Sequence, residues 1–279
     1  MKAARTGSLS RSGQVAAPSP FALDLIEALG ESAVQWRAER LRAYEYDGSI
    51  DVGHPAAVAL VATDADAASA IRVASRHGQP VVARGSGTGL SGGAVATRGG
   101  LTLSFSRMRA INLIDPPNLR AVVEPGVINL DVSRAVASHG LYFAPAPSSQ
   151  AACSIGGNIA ENAGGAHCLA YGVTTNHVTG LACILADGTT LRTGTLSSGN
   201  SGADVPGYDL TGAIVGSEGT FAVVTKASLR LMPVAEAVLR YALRLVRTSR
   251  PTAHGIATSG ATAMILSATD VGKNQPTIH

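Results

Sequence analysis

The chain has 279 residues, 46% of them hydrophobic, which suits one large packed domain or two modest ones and excludes a disordered polymer. Its formal net charge is only +3, its lysines and arginines are scattered, and aromatic residues make up 4%, so it has neither the basic stripe nor the stacking platform of a nucleic-acid binder. Cys153, Cys168 and Cys183 show no CxxC spacing, which argues for reduced thiols in the cytoplasm and against a metal site or iron-sulfur cluster held by this chain.

No run reaches the roughly 18 apolar residues of a membrane span, and the start MKAARTGSLSRSG lacks the apolar centre of a secretory signal. Residues 1–20, rich in Ser, Gly, Ala and Pro, are expected to be disordered because they cannot bury enough surface to offset ordering. In residues 21–50, Leu23, Ile26, Leu29, Val34, Trp36 and Leu41 recur at near-helical spacing with Gly30 as an interruption, which predicts two short helices. AVALVAT at 57–63 reads as a buried strand. Asp64 is the expected cap of a helix over DADAASAIRVASRH that stops at Gly78, and PVVAR follows as a second strand.

This β-α-β unit feeds residues 80–93, PVVARGSGTGLSGG. Glycine lets successive residues take positive φ and aim several backbone N–H groups at one point, so such a loop is a seat for phosphate. A Walker loop is excluded because Ala94 and Val95, not Lys and Ser or Thr, follow the last glycine. Gly87, Gly89 and Gly92 match GxGxxG, but the loop runs through Arg98, Gly99 and Gly100 straight into LTLSF, leaving no room for the crossover helix of a dinucleotide fold. Taken alone, the loop also fits a plain glycine-rich turn.

LTLSFSRM, INLI and LRAVVE read as further strands, with a turn at Asp115, Pro116, Pro117 and Asn118. Asn129 or Asp131 starts a helix that Gly140 ends. Residues 145–172 then read as a long loop of small residues whose only ionised side chain is Glu161. Ser148, Ser149, Ser154, Asn158 and Asn162 offer neutral hydrogen-bonding groups there, and Gly156, Gly157, Gly164 and Gly165 expose bare backbone, a lining suited to a large, flat, partly polar cofactor. VTGLACILADGTTLRTG predicts a hairpin turning at Asp187 and Gly188. A short helix near 209–215 precedes GSEG at 216–219 and the strand pattern TFAVVTKASLRLMP.

Three stretches in this order, RGSGTGLSGG, PSSQAACSIGGNIAENAGG with HCLAYG, and GSEGTFAVVTKASLRL, resemble the FAD-binding domain of the vanillyl-alcohol oxidase and p-cresol methylhydroxylase (PCMH) type. The resemblance is closer still to the FAD-binding subunit of glycolate oxidase and to FAD-linked D-lactate and D-2-hydroxyglutarate dehydrogenases. It implies an α+β fold, a PCMH-type FAD-binding domain of two α/β subdomains with FAD between them, spanning 51–233 after a helical segment at 21–50. It also implies that most of the C-terminal cap domain of those relatives is lacking, with 234–279 as a truncated or aberrant tail.

In the resembling family the first loop wraps the FAD pyrophosphate, a role that falls here on Gly85, Ser86, Gly87, Thr88, Gly89, Ser91 and Gly92. Pro147, Ser148, Ser149, Gly156, Gly157, Asn158 and Asn162 would line the flavin and ribityl chain, and Val224 would touch the cofactor through its backbone. Some relatives attach FAD covalently through a histidine of the first loop; residues 85–93 hold none, so non-covalent FAD is expected. Where the family carries glycine this chain has Ala222, a strained position if the backbone there needs positive φ.

The resemblance further implies a small 2-hydroxy-acid substrate, a second flavin-domain subunit and an iron-sulfur subunit as partners, and a cytoplasmic location that is peripheral to the inner membrane only through those partners. The catalytic residues are unknown from sequence. His167 and His177 have the side-chain type of a base, but each reads better as a structural residue, and Glu161 and Glu218 read as caps of backbone N–H groups. A catalytically incomplete FAD-binding remnant, or a subunit active only with partners, is the alternative to a self-sufficient oxidoreductase.

Overall fold

The computed structural model describes residues 17–197 and 207–235, and the backbone of 239–240 and 265–266. Two compact units divide the chain, one comprising 1–107 with 186–189 and the other 108–185 with 190–279.

The first unit begins with α1 (Pro20–Leu29), whose entry is set by Ser19: its hydroxyl accepts the Ala22 N–H at 3.2 Å, and Pro20 supplies a pre-set φ for the first turn. Ordered structure thus reaches into the segment 1–20 expected to be disordered, of which 1–16 lie outside the described residues. Val34 and Gln35 form β1 (Val34–Gln35), not helix, because they pair antiparallel with β2 (Ala57–Leu60); only α2 (Ala38–Leu41), one turn long, follows. Long-range pairing overrides the local periodicity here.

Next come α3 (Asp64–Arg76), β3 (Val81–Arg84) and β4 (Leu101–Ser104), in a sheet ordered β1-β2-β4-β3 whose last three strands run parallel. The cap of α3 is Thr63, one residue before the expected Asp64. Its Oγ1 accepts the Asp66 N–H at 3.1 Å while the Asp66 carboxylate accepts the Thr63 N–H at 3.0 Å, a reciprocal capping box. Ala67, Ala70, Ile71 and Ala74 on one face of α3 are buried, and so are the inward residues Val58, Leu101 and Leu103 of the sheet. Neighbouring β3 and β4 are joined by residues 85–100 with no helix among them, as the glycine spacing requires.

The second unit opens with β5 (Ile111–Asp115) and β6 (Arg120–Val123), then α4 (Asn129–Val136), β7 (Leu141–Tyr142), α5 (Ile155–Ala160) and α6 (Cys168–Tyr171). After these come β8 (Val178–Ile184), β9 (Thr190–Arg192), α7 (Leu210–Ile214), β10 (Val223–Arg230) and β11 (Met232–Pro233). The five-stranded sheet is ordered β5-β6-β10-β8-β9 and wholly antiparallel. The β8–β9 turn has Gly188 at φ 81 and the Asp187 carboxylate accepting the Thr189 N–H at 2.8 Å, the chemistry its Asp-Gly pair predicts. Val123, Phe143, Ile155, Ile159, Leu181 and Leu229 form the buried centre. In the segment 234–279 the described backbone holds β12 (Leu239–Arg240) paired antiparallel with β13 (Ile265–Leu266).

Candidate cofactor-binding site

The residues singled out by sequence fall into two groups, one in each unit. In the first unit, the loop after β3 takes left-handed φ at Gly87 (68°) and Gly92 (77°). Among the described residues, none of the backbone N–H groups of residues 85–93 donates a hydrogen bond within the chain. A long run of unpaired amides is costly unless water or a ligand takes it up. A Cβ placed on Gly89 would meet nothing within 4 Å, so that stretch of backbone faces open space.

The loop is braced from the side by residues 47–53. A Cβ at Gly48 would stand 2.6 Å from the Gly89 carbonyl oxygen, and Gly53 is pressed against Ala96. The Asp47 carboxylate accepts the Ser49 N–H at 2.7 Å and the Ala94 N–H at 3.4 Å. Burial pushes its carboxyl up, yet hydrogen bonds from Ser49 and Ala94 and the nearby Arg84 charge outweigh that and hold it below the usual carboxylate range. Arg84, the last residue of β3, is 8% exposed; its Nη1 donates to the Ala94 carbonyl at 3.2 Å, and its guanidinium lies 5.7 Å from the centre of the Tyr44 ring.

In the second unit, the segment after β7 is more structured than the expected loop. Ser154 caps α5 through its hydroxyl, which accepts the Gly157 N–H at 3.4 Å, while Ile155 and Ile159 are fully buried. Burial and the cap outweigh the poor helix propensity of Gly156 and Gly157. Gly156 is needed because a Cβ there would meet the Pro125 side chain at 2.7 Å. Pro147 and Ser149 turn the chain with their carbonyls, accepting N–H groups of Gln150 at 2.9 Å and of Ala152 and Cys153 at 2.7 and 2.8 Å. Ser148 is exposed and Ser149 half-buried.

Asn158, read from sequence as a cofactor-lining residue, is 3% exposed and turned inward: its Oδ1 accepts from Asn129 Nδ2 at 2.8 Å and its Nδ2 donates to the Cys153 sulfur at 3.3 Å. Asn162 has φ 47°, and its Oδ1 accepts both the N–H and the hydroxyl of Thr175 at 2.9 Å. The GSEG segment docks on the end of α5, with Gly216 N–H donating to Ile159 at 2.8 Å and Glu218 N–H to Ala160 at 2.9 Å. Strain in this segment sits at Glu218 (φ 53°); Ala222 is not among the residues with positive φ, so the penalty expected there is absent. Ser217 Oγ is buried without a hydrogen-bond partner among the described residues. Val224 lies at a β-bulge of β10 against β8, where its backbone leaves the regular ladder.

The two candidate bases differ in burial. His177 is 3% exposed, with Nε2 2.8 Å from the Tyr171 carbonyl and its ring edge-on to Phe143. His167 is exposed and stacks edge-on with Tyr171. Cys183 is fully buried, and burial pushes its thiol up to about 12. Among the described residues no group of three or more His, Cys, Asp or Glu side chains is arranged to hold a metal, and no helix is long and apolar enough to cross a membrane. Sequence reasoning passed over Arg84, Asp47 and Asn129. The arginine immediately before the first loop glycine was the one local signal; the other two are marked only by tertiary contacts.

A loop of unpaired amides with open backbone at Gly89 fits a phosphate-bearing cofactor, and comparison with known proteins identifies which. The family profile described as "FAD binding domain" matches residues 55–194, half of the chain. The chain belongs to the FAD-binding domain family. The glycolate oxidase subunit GlcD of Bacillus subtilis is 47% identical over 194 residues, covering 69% of this chain and 40% of that protein. Its Escherichia coli counterpart is 44% identical over 196 residues (70% and 38%), and a D-lactate dehydrogenase of Archaeoglobus fulgidus is 40% identical over 196 residues (68% and 43%). The chain therefore spans well under half the length of these curated relatives. In fold, the FAD-binding domain resembles alkyldihydroxyacetonephosphate synthase, with a TM-score of 0.68 at 17% identity over 79% of this chain and 45% of that one.

Proposed function

We propose that this chain is the FAD-binding part of an oxidoreductase that oxidises a 2-hydroxy acid such as glycolate or D-lactate. Membership of the FAD-binding domain family makes FAD the cofactor, and the names of the curated relatives motivate the substrate class. The observation that carries the reading is the run of backbone amides over residues 85–93 that have no partner among the described residues.

In this reading Gly85, Ser86, Gly87, Thr88, Gly89, Ser91 and Gly92 take the pyrophosphate with backbone N–H groups and hydroxyls. Pro147, Ser148, Ser149, Gly156, Gly157 and Asn162 line the flavin and ribityl chain, Val224 contributes backbone, and Asn158 positions the segment from beneath. FAD, when bound, supplies a two-electron acceptor for the hydride on the substrate Cα. The chain's own residues orient that acceptor and exclude water from it; the proton from the substrate hydroxyl needs a base, and neither His167 nor His177 is offered for it. Residues 51–233 form the FAD-binding domain, and the absence of His from 85–93 supports non-covalent attachment.

A second reading is favoured by the naming of the GlcD relatives as subunits: a flavin-binding polypeptide that turns over only with partner subunits, a second flavin-domain subunit and an iron-sulfur subunit, in the cytoplasm or held at the inner membrane by them. One experiment tests both. The purified chain is reconstituted with FAD, its visible spectrum recorded, and the bound flavin mixed anaerobically with a panel of 2-hydroxy acids. Yellow protein that bleaches with glycolate or D-lactate supports the first reading, yellow protein that bleaches only with added subunits the second, and a colourless chain that takes up no FAD overturns both. Flavin released into the supernatant by acid precipitation is the result expected for non-covalent binding.

A further inference from the structure

We propose that Arg84 is the charged member of the cofactor site: from beneath the glycine loop its guanidinium supplies the positive charge that holds the FAD diphosphate, and it closes the loop on itself. The inference rests on the FAD reading above and extends it to a residue outside the amide nest.

Backbone amides offer direction but no net charge, whereas a diphosphate is a dianion. The groups flanking the loop make matters worse, since the Asp47 carboxylate takes the Ala94 N–H at 3.4 Å and the Asp51 carboxylate would stand 2.7 Å from a Cβ at Gly92. Arg84 is the cation placed to offset them. Its Nη2 would be 2.5 Å from a Cβ on Gly87, so the guanidinium lies directly against the Cα of a residue in the middle of the nest. The residue is only 8% exposed, and among the described residues its side chain makes one hydrogen bond, from Nη1 to the Ala94 carbonyl at 3.2 Å; Nε and Nη2 are not among the fully buried unpaired atoms, so they stay open to an acceptor from outside the chain. Buried charges are retained when something pairs with them, and a guanidinium is matched in shape to phosphate oxygens. The bond to Ala94 ties the start of the loop to its end across ten residues, so charge and shape depend on the same side chain.

The test compares wild type, Arg84→Lys and Arg84→Gln by equilibrium titration of FAD at several salt concentrations, with riboflavin, which lacks phosphate, as second probe and circular dichroism as a check of folding. If Arg84 acts on the diphosphate, FAD affinity falls about 10- to 100-fold in Arg84→Gln and loses its salt dependence, Arg84→Lys keeps the salt dependence with a smaller loss, and riboflavin binding is the same in all three. A purely structural role predicts that FAD and riboflavin weaken together with the salt dependence unchanged; that result, or wild-type affinity in Arg84→Gln, overturns the inference. If Arg84→Gln does not fold, Arg84→Lys decides it, because losing the salt dependence with the charge retained is incompatible with the proposal. Wild type that binds no FAD refutes the underlying FAD reading instead, so the two failures are distinguishable.

Discussion

The glycine loop of the first unit and the small-residue segment of the second have nearly the same composition and opposite hydrogen-bond accounting. Among the described residues the amides of 85–93 have no partner, and Gly89 looks onto open space. The stretch between Ala146 and Gly165 commits most of its amides to turns, to the cap at Ser154 and to α5, and two of its glycines are pressed by neighbours: Pro125 at Gly156 and the Ala146 backbone at Gly165. Glycine at position 89 leaves backbone facing open space; at 156 and 165 it lets neighbouring segments pack closely on the chain.

That contrast can be broken by substitution. The largest effect is expected from Gly165→Ala, where the new Cβ collides with the Ala146 backbone: a loss of about 3 kcal/mol of stability, read as a lower midpoint of urea unfolding. A midpoint equal to wild type would mean the second segment is as open as the first. Alkaline unfolding gives a comparable figure for the interior of the same unit. Because the Cys183 thiol is pushed up from 9.0 to about 12 in the folded chain, the unfolded thiol ionises first; stability is unaffected below pH 9 and declines through this group by about 1.4 kcal/mol per pH unit as pH rises toward 12. The Cys183→Ala variant should lack that component, and identical pH profiles for the two proteins would refute it.

Asn129→Ala removes donors to Pro145 and Asn158 from a fully buried site and should cost about 2 kcal/mol, with Asn158 and the turn at 147–153 losing support. Calorimetry checks this, and a loss within experimental error would show the network to be dispensable. The smallest stability change is expected at Gly89→Ala: no loss, or a gain of up to about 1 kcal/mol from a stiffer unfolded chain. The same substitution should weaken FAD about tenfold, about 1.4 kcal/mol, by covering the amide face. Destabilisation with FAD affinity intact would reverse the contrast.

How much of this was legible in the sequence depends on how local the causes are. The β2-α3-β3 unit, the Asp187-Gly188 hairpin and the helix stop at Gly140 rest on neighbouring residues and could be read directly. The strand at Val34 and Gln35 could not, because its reason is a partner at Val58 and Ala59. α5 was hidden behind Gly156 and Gly157, whose propensities point away from helix while Ile155 and Ile159 anchor it in the core. Of the site, the glycine loop was visible as composition. The inward turn of Asn158 and the place of Arg84 beneath Gly87 exist only once distant segments have met.

The helix-free link between β3 and β4 also bears on how the chain reaches its native state. Parallel strands aligned as Val81 with Leu101 through Arg84 with Ser104 acquire that alignment only after residues 85–100 have closed, with no intervening helix to nucleate the crossover. Closing such a span before any contact rewards it is a slow, entropically opposed step. The ladder between these strands should therefore form late in refolding, after α3 and its Thr63 cap have seeded the rest of the first unit.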